Sequence, residues 1–135
     1  AALRVGYALS SAQIADVLNR VRQPFNVNSL ALAAACAALD DADYLVKSRE
    51  LNDAGMAQLE AGLRQLGLGW IASKANFIAV DFARDTAAIN QALLRAGVIV
   101  RPIAGYGLPN FLRVSIGLPA ENARFLEVLT QVLSA

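Results

Sequence analysis

Residues 98–117 read VIVRPIAGYGLPNFLRVSIG. Two apolar β-type runs are joined here by a turn rich in Gly and Pro, and each run carries one arginine. In the second run the two-residue period of a strand puts Phe111, Arg113 and Ser115 on one face and Leu112, Val114 and Ile116 on the other. Arg113 is therefore a fork-shaped cation on a β-strand beside a hydroxyl and an aromatic. Because stranding a charge in an apolar medium is costly, such a guanidinium either pairs with a structural Asp or Glu or faces a wet cleft. With Arg101 on the neighbouring run, the second alternative describes a receptor for carboxylate or phosphate, whose oxygens match the guanidinium fork.

Working outward, residues 3–9 alternate, with Arg4, Gly6 and Ala8 on one face, and read as a strand in which small neighbours leave room for an anion beside Arg4. Ser10 and Gln13 form a capping-box pattern, and Ile14, Val17, Leu18 and Val21 make the stripe of a first helix that Pro24 stops. Asn28 or Ser29 caps a second helix over residues 29–39, apolar nearly all round and so expected to be buried on most sides. Cys36 lies within it and is expected to be a small buried apolar residue. A long helix over residues 41–66 follows, its stripe interrupted at Ser48 and Asn52 and its end marked by Gly67 and Gly69. Residues 70–82 read as a strand region kinked at Ser73 and Lys74. A helix capped by Asp85 or Thr86, the two arginine strands and a final helix entered at Pro119 complete the order. The fold class is α/β (α+β), with helices packed on a small mixed or antiparallel sheet.

The chain has 135 residues, enough for a sizeable core, and 56% of them are hydrophobic, which excludes a disordered protein. A formal net charge of +1 without a basic run gives no sign of nucleic-acid binding. The longest uncharged apolar run, around residues 30–39, is too short for a bilayer. One cysteine forbids a disulfide within the chain, and a cytoplasmic setting fits best. Histidine is absent, which removes His-based acid–base chemistry, Ser–His and Cys–His nucleophile pairs and ordinary zinc sites, so no metal is expected. Without an initiator methionine, the chain is read as part of something longer.

Five segments in order carry a resemblance: Leu3-Arg4-Val5-Gly6-Tyr7, Pro24-Phe25-Asn26-Val27-Asn28, Ser73-Lys74-Ala75-Asn76-Phe77, Val98-Ile99-Val100-Arg101-Pro102 and Phe111-Leu112-Arg113-Val114-Ser115-Ile116-Gly117. Together they resemble the C-terminal part of the histidinol-phosphate aminotransferases, which are fold-type I enzymes of the class I/II pyridoxal-phosphate-dependent aminotransferase family. The resemblance implies that residues 1–40 end a large cofactor-binding domain (its last strand and helix, then the buried helix). Residues 41–135 would form the small C-terminal domain, long linking helix included. It implies that Arg4 binds the phosphate of pyridoxal 5'-phosphate, that Arg113 grips the substrate carboxylate or phosphate with Arg101 assisting, and that Asn26 lies near the active-site rim or subunit interface.

Histidinol phosphate and glutamate/2-oxoglutarate are the implied substrates, in histidine biosynthesis, and a homodimer is the implied parent assembly. The lysine that forms the Schiff base falls upstream of Ala1 in this alignment of motifs. Lys47 and Lys74, the only lysines, are read as surface residues, so the chain alone is expected to be inactive. A threonine-phosphate decarboxylase shares the arginine pattern, and a non-catalytic anion-binding α+β module is the alternative from a different class.

Overall fold

The alternation in residues 77–81 and 111–115 becomes the centre of the sheet. The computed structural model describes residues 2–134. Strands β1 (Gly69–Ile71), β2 (Phe77–Asp81), β3 (Arg101–Pro102) and β4 (Phe111–Ser115) form one sheet in the order β1-β2-β4-β3. Every neighbouring pair is antiparallel. Ile78, Val80, Leu112 and Val114 all point to one face and are buried.

Three helices lie on that face. The long helix α3 (Ala42–Gln65) contributes Met56, Leu59 and Leu63, α4 (Ala87–Arg95) contributes Ile89 and Leu93, and α5 (Pro119–Ser134) contributes Phe125, Val128 and Leu129. Burying each such side chain is worth about 1.5–3 kcal/mol, so this single layer of contacts is the main source of stability. The opposite sheet face, which holds Phe77, Arg101, Arg113 and Ser115, has no buried residue. Helix α3 closes with the Leu68 N–H donating to Leu63 C=O at 3.0 Å, a geometry that needs the left-handed Gly67 at φ 69°.

The turn after β4 is held by polar contacts as well as packing. Asn122, only 3% exposed, accepts from Gly117 N–H at 3.0 Å and donates to Gly117 C=O at 3.1 Å and Gln58 Oε1 at 3.2 Å. Gln58 in turn donates to Pro119 C=O at 3.0 Å. This network ties α3 to the end of the strand that bears Arg113.

The chain divides into two compact units, Ala1–Val46 and Lys47–Ala135, with the division inside α3. The first unit contains α1 (Ala12–Val21) and α2 (Ser29–Asp40). Asn28 caps α2 as expected, accepting from Ala31 N–H at 2.8 Å. Four expectations need correction. Residues 3–9 form no strand: Arg4 sits at φ 58° and none of the described strands forms a ladder with the segment, and a strand without a ladder partner has nothing to hold it extended. Ser11, not Ser10, caps α1, accepting from Ile14 N–H at 3.4 Å. Helix α2 is not enclosed: Ala31 is buried, but Leu30, Leu32, Leu39 and Cys36 are exposed, because a helix apolar all round needs neighbours on every side. Residues 70–82 are an antiparallel hairpin rather than one kinked strand. Its loop is drawn onto α3 by the Asn52 side chain, which donates to Ala75 C=O at 3.4 Å. That contact also explains the polar residue at Asn52 in the α3 stripe, while Ser48 is exposed.

The close approach of α3 to β4 yields a test. A Cβ built at Gly55 would lie 2.5 Å from Ile116 Cγ2 and 3.0 Å from Asn122 Nδ2. Gly→Ala inside a helix ordinarily gains about 1 kcal/mol, whereas overpacking against stiff neighbours costs ~1–3 kcal/mol. Gly55→Ala is therefore expected to destabilise the chain by about 1 kcal/mol in urea unfolding; a gain in stability would show that the interface has slack.

Candidate functional site

Register places the two arginines together. Arg101 on β3 lies directly opposite Arg113 on β4, so both side chains leave the same face of the sheet, the one without helices. Cβ atoms of directly opposed residues are ~4.5–5.5 Å apart. Arg113 is half-buried and Arg101 exposed. Like charges on directly opposed residues repel, less where water and salt screen them.

A carboxylate between or beside the pair would cancel that repulsion. The ion pairs among the described residues are Arg20–Asp16 and Arg124–Glu127, both within single helices. Asp81 is the acid closest by register, since it faces Phe111 on β4 and shares the arginine face. Its Oδ1 instead accepts from Ala83 N–H at 2.8 Å, and it forms no ion pair among the described residues. Of the two readings open for Arg113, pairing with a structural acid is thus not what the described residues form. The guanidinium lies over the Phe77 ring, with Cζ 5.0 Å from the centroid, and Ala79 stands directly opposite Arg113 on β2. An anion accepting from these forks would replace that repulsion by charge-assisted hydrogen bonds.

A separate cleft of about 590 Å³ opens where β3 and β4 diverge, lined by Val98, Val100, Ser115, Gly117 and Asn122 among others. Neither Arg101 nor Arg113 lines it, so the candidate site is the open sheet face.

Arg4 and Asn26 belong to the first unit. Arg4 lies at φ 58°, and a Cβ at Gly6 would meet nothing within 4 Å. Asn26 follows α1 and accepts from Arg22 Nη1 at 3.5 Å, while Arg22 Nε donates to Asn19 Oδ1. Phe25 beside it is fully exposed and held at φ 54°. Among the described residues no group of three or more metal-ligating side chains exists, and no helix is long and apolar enough to cross a membrane. Sequence reasoning overlooked Phe77 and Arg22. Phe77 was legible as the first residue of an alternating run, but only the register between β2 and β4 brings it to Arg113.

Residues 1–129 match the family Aminotransferase class I and II, and the chain belongs to that family. Within it, the chain is 75% identical over 134 residues to histidinol-phosphate aminotransferase 2 of Pseudomonas aeruginosa, covering 99% of this chain and 36% of that protein. It thus spans about a third of that relative's length. The crystal structure of histidinol-phosphate aminotransferase from Sinorhizobium meliloti in complex with pyridoxal-5'-phosphate superposes with a TM-score of 0.78 at 28% identity, over 93% of this chain and 35% of that one. L-threonine-O-3-phosphate decarboxylase from Porphyromonas gingivalis superposes with a TM-score of 0.73 over 94% of this chain and 41% of that one. At 20% identity that likeness shows the fold alone.

The opposed charges set the sign of a further test. Like charges directly across a ladder are destabilising by up to about 1 kcal/mol. Arg101→Gln is therefore expected to raise the unfolding midpoint at low ionic strength, with the gain shrinking as salt is added. A fall in stability on substitution would reveal a partner holding Arg101.

Proposed function

We propose that this chain is the C-terminal part of a pyridoxal-phosphate-dependent enzyme that exchanges an amino group between histidinol phosphate and 2-oxoglutarate in histidine biosynthesis, as a cytoplasmic homodimer. The observation that carries the reading is the opposed Arg101–Arg113 pair on an open sheet face with no carboxylate between them. High identity to a histidinol-phosphate aminotransferase supports the substrate class and favours an enzyme over a non-catalytic binding module. In this reading residues 1–40 end the large domain and 41–135 form the small one.

The chemistry accounts for the arginines. Moving an amino group requires the substrate's reacting C–H bond to be held at a fixed angle, and clamping the anionic end of the molecule removes the rotational freedom that would spoil that angle. Arg113 provides the clamp from a central strand, where the backbone is fixed on both sides. Arg101 adds a second fork from β3. A planar guanidinium accepts a carboxylate or a phosphate equally well in geometry, so one site serves a phosphorylated amino alcohol and a dicarboxylate in turn. Asn26 is assigned to the rim of the substrate site or the subunit interface.

The donor set also fits part of the cofactor. Arg4 carries a guanidinium, whose fork suits a phosphate monoester, and would hold that end of pyridoxal phosphate. When bound, the cofactor supplies the electron sink for amino-group transfer. Its covalent anchor is not assigned to this chain: Lys47 on α3 and Lys74 on the β1–β2 loop are both exposed, and neither sits in an enclosed site.

Two outcomes are expected. In the full-length enzyme, Arg113→Ala lowers kcat/KM for histidinol phosphate by at least ~3 kcal/mol, the scale for truncating one partner of a desolvated charge pair; an unchanged value contradicts the role. The 135-residue chain incubated with pyridoxal phosphate and both substrates yields no ketone product above a protein-free blank. Turnover would show that an amine within this chain does the chemistry.

A further inference from the structure

Phe77 is a large aromatic that core packing does not account for. It lies outside the hydrophobic cluster formed by Ile78, Val80 and the three helices, and its ring stands half-buried on the open face. Its position is set by register: Phe77 pairs with Ser115 while Arg113 pairs with Ala79, so Phe77 is the diagonal neighbour of Arg113, within reach of a long side chain. The ring is the contact that Arg113 makes among the described residues, with Cζ 5.0 Å from the centroid and no hydrogen bond or ion pair to a side chain.

A long arginine side chain facing a second arginine would otherwise be driven away from it and spread over many rotamers. The negative face of the ring draws the guanidinium back onto the sheet. The opposite alanine adds no bulk that would displace it. A contact of this kind uses the π cloud of the ring rather than a lone pair, and no side-chain acceptor takes an Arg113 N–H among the described residues.

We propose that Phe77 is the positioning residue of the anion site: it holds the Arg113 fork in place through a cation–π contact and takes up no acceptor that the carboxylate or phosphate oxygens of the ligand would provide. The inference rests on the reading of Arg101 and Arg113 as an anion receptor. A hydrogen-bonding partner in place of the ring would pre-empt the donors the ligand needs, whereas a ring orients the fork without competing for them.

The test titrates the whole chain with inorganic phosphate and follows the arginine Nε–Hε resonances by NMR, for wild type, Phe77→Leu, Phe77→Tyr and Arg113→Ala. Phe77→Leu is expected to weaken phosphate binding about three- to fivefold, the range of a cation–π contact, and to remove the ring-current displacement of the Arg113 Nε–Hε signal. Phe77→Tyr, which keeps the ring, is expected to restore both. Equal phosphate affinity in Phe77→Leu and wild type, with Arg113→Ala weakened, overturns the positioning role and leaves the receptor standing. Wild type binding phosphate no better than Arg113→Ala overturns the receptor and this inference with it. Should Phe77→Leu fail to fold, a wild-type Arg113 Nε–Hε signal at its random-coil position is sufficient to overturn the proposal.

Discussion

Two positive charges face each other across an antiparallel ladder, and neither is neutralised by an acid among the described residues. Such an arrangement lowers the stability of a free sheet, so its presence needs a compensating term. In the proposed reading, a bound anion would supply that term. The sign of the electrostatics alone is the strongest physical argument for a ligand on this face, because a purely structural pair of strands would gain by placing an acid at either position.

The rest of the second unit works to keep that opposition fixed. The core is one-sided: Ile78, Val80, Leu112 and Val114 send their side chains to the helices, which obliges Arg113 and its neighbours to the other face. The alternation of a strand makes the two faces inseparable, since a one-residue slip that exposed the core would also bury the arginine. Asn122 and Gln58 anchor the far end of β4 onto α3 through hydrogen bonds that use every polar atom of the Asn122 side chain. A fully satisfied buried amide is more directional than apolar packing, and here it limits how β4 can shift.

Much of this was readable from residue order. The period of residues 111–115 assigned the faces of β4 correctly, and the Gly67 stop and the Asn28 cap fell where local backbone chemistry requires them. What could not be read was pairing. The direct opposition of Arg101 and Arg113, and the diagonal contact with Phe77, depend on register between segments tens of residues apart. The failures share one cause. Residues 3–9 and α2 carry patterns that demand partners, and the pattern states the demand without saying whether it is met. Residues 3–9 remain irregular and α2 keeps its leucines in water, although both sequences look like interior structure. The Ser73-Lys74 stretch was mistaken for a kink because a tight hairpin and a kinked strand share the same polar, small-residue signature.

If Arg101 and Arg113 act as one receptor, a double-mutant cycle on phosphate affinity will register it. Calorimetric titration of wild type, Arg101→Ala, Arg113→Ala and the double variant is predicted to show weakened binding in each single variant. It should also show a coupling between the two of at least about 0.5 kcal/mol, as residues sharing one ligand display. Phosphate affinity that survives undiminished in the double variant would contradict the account.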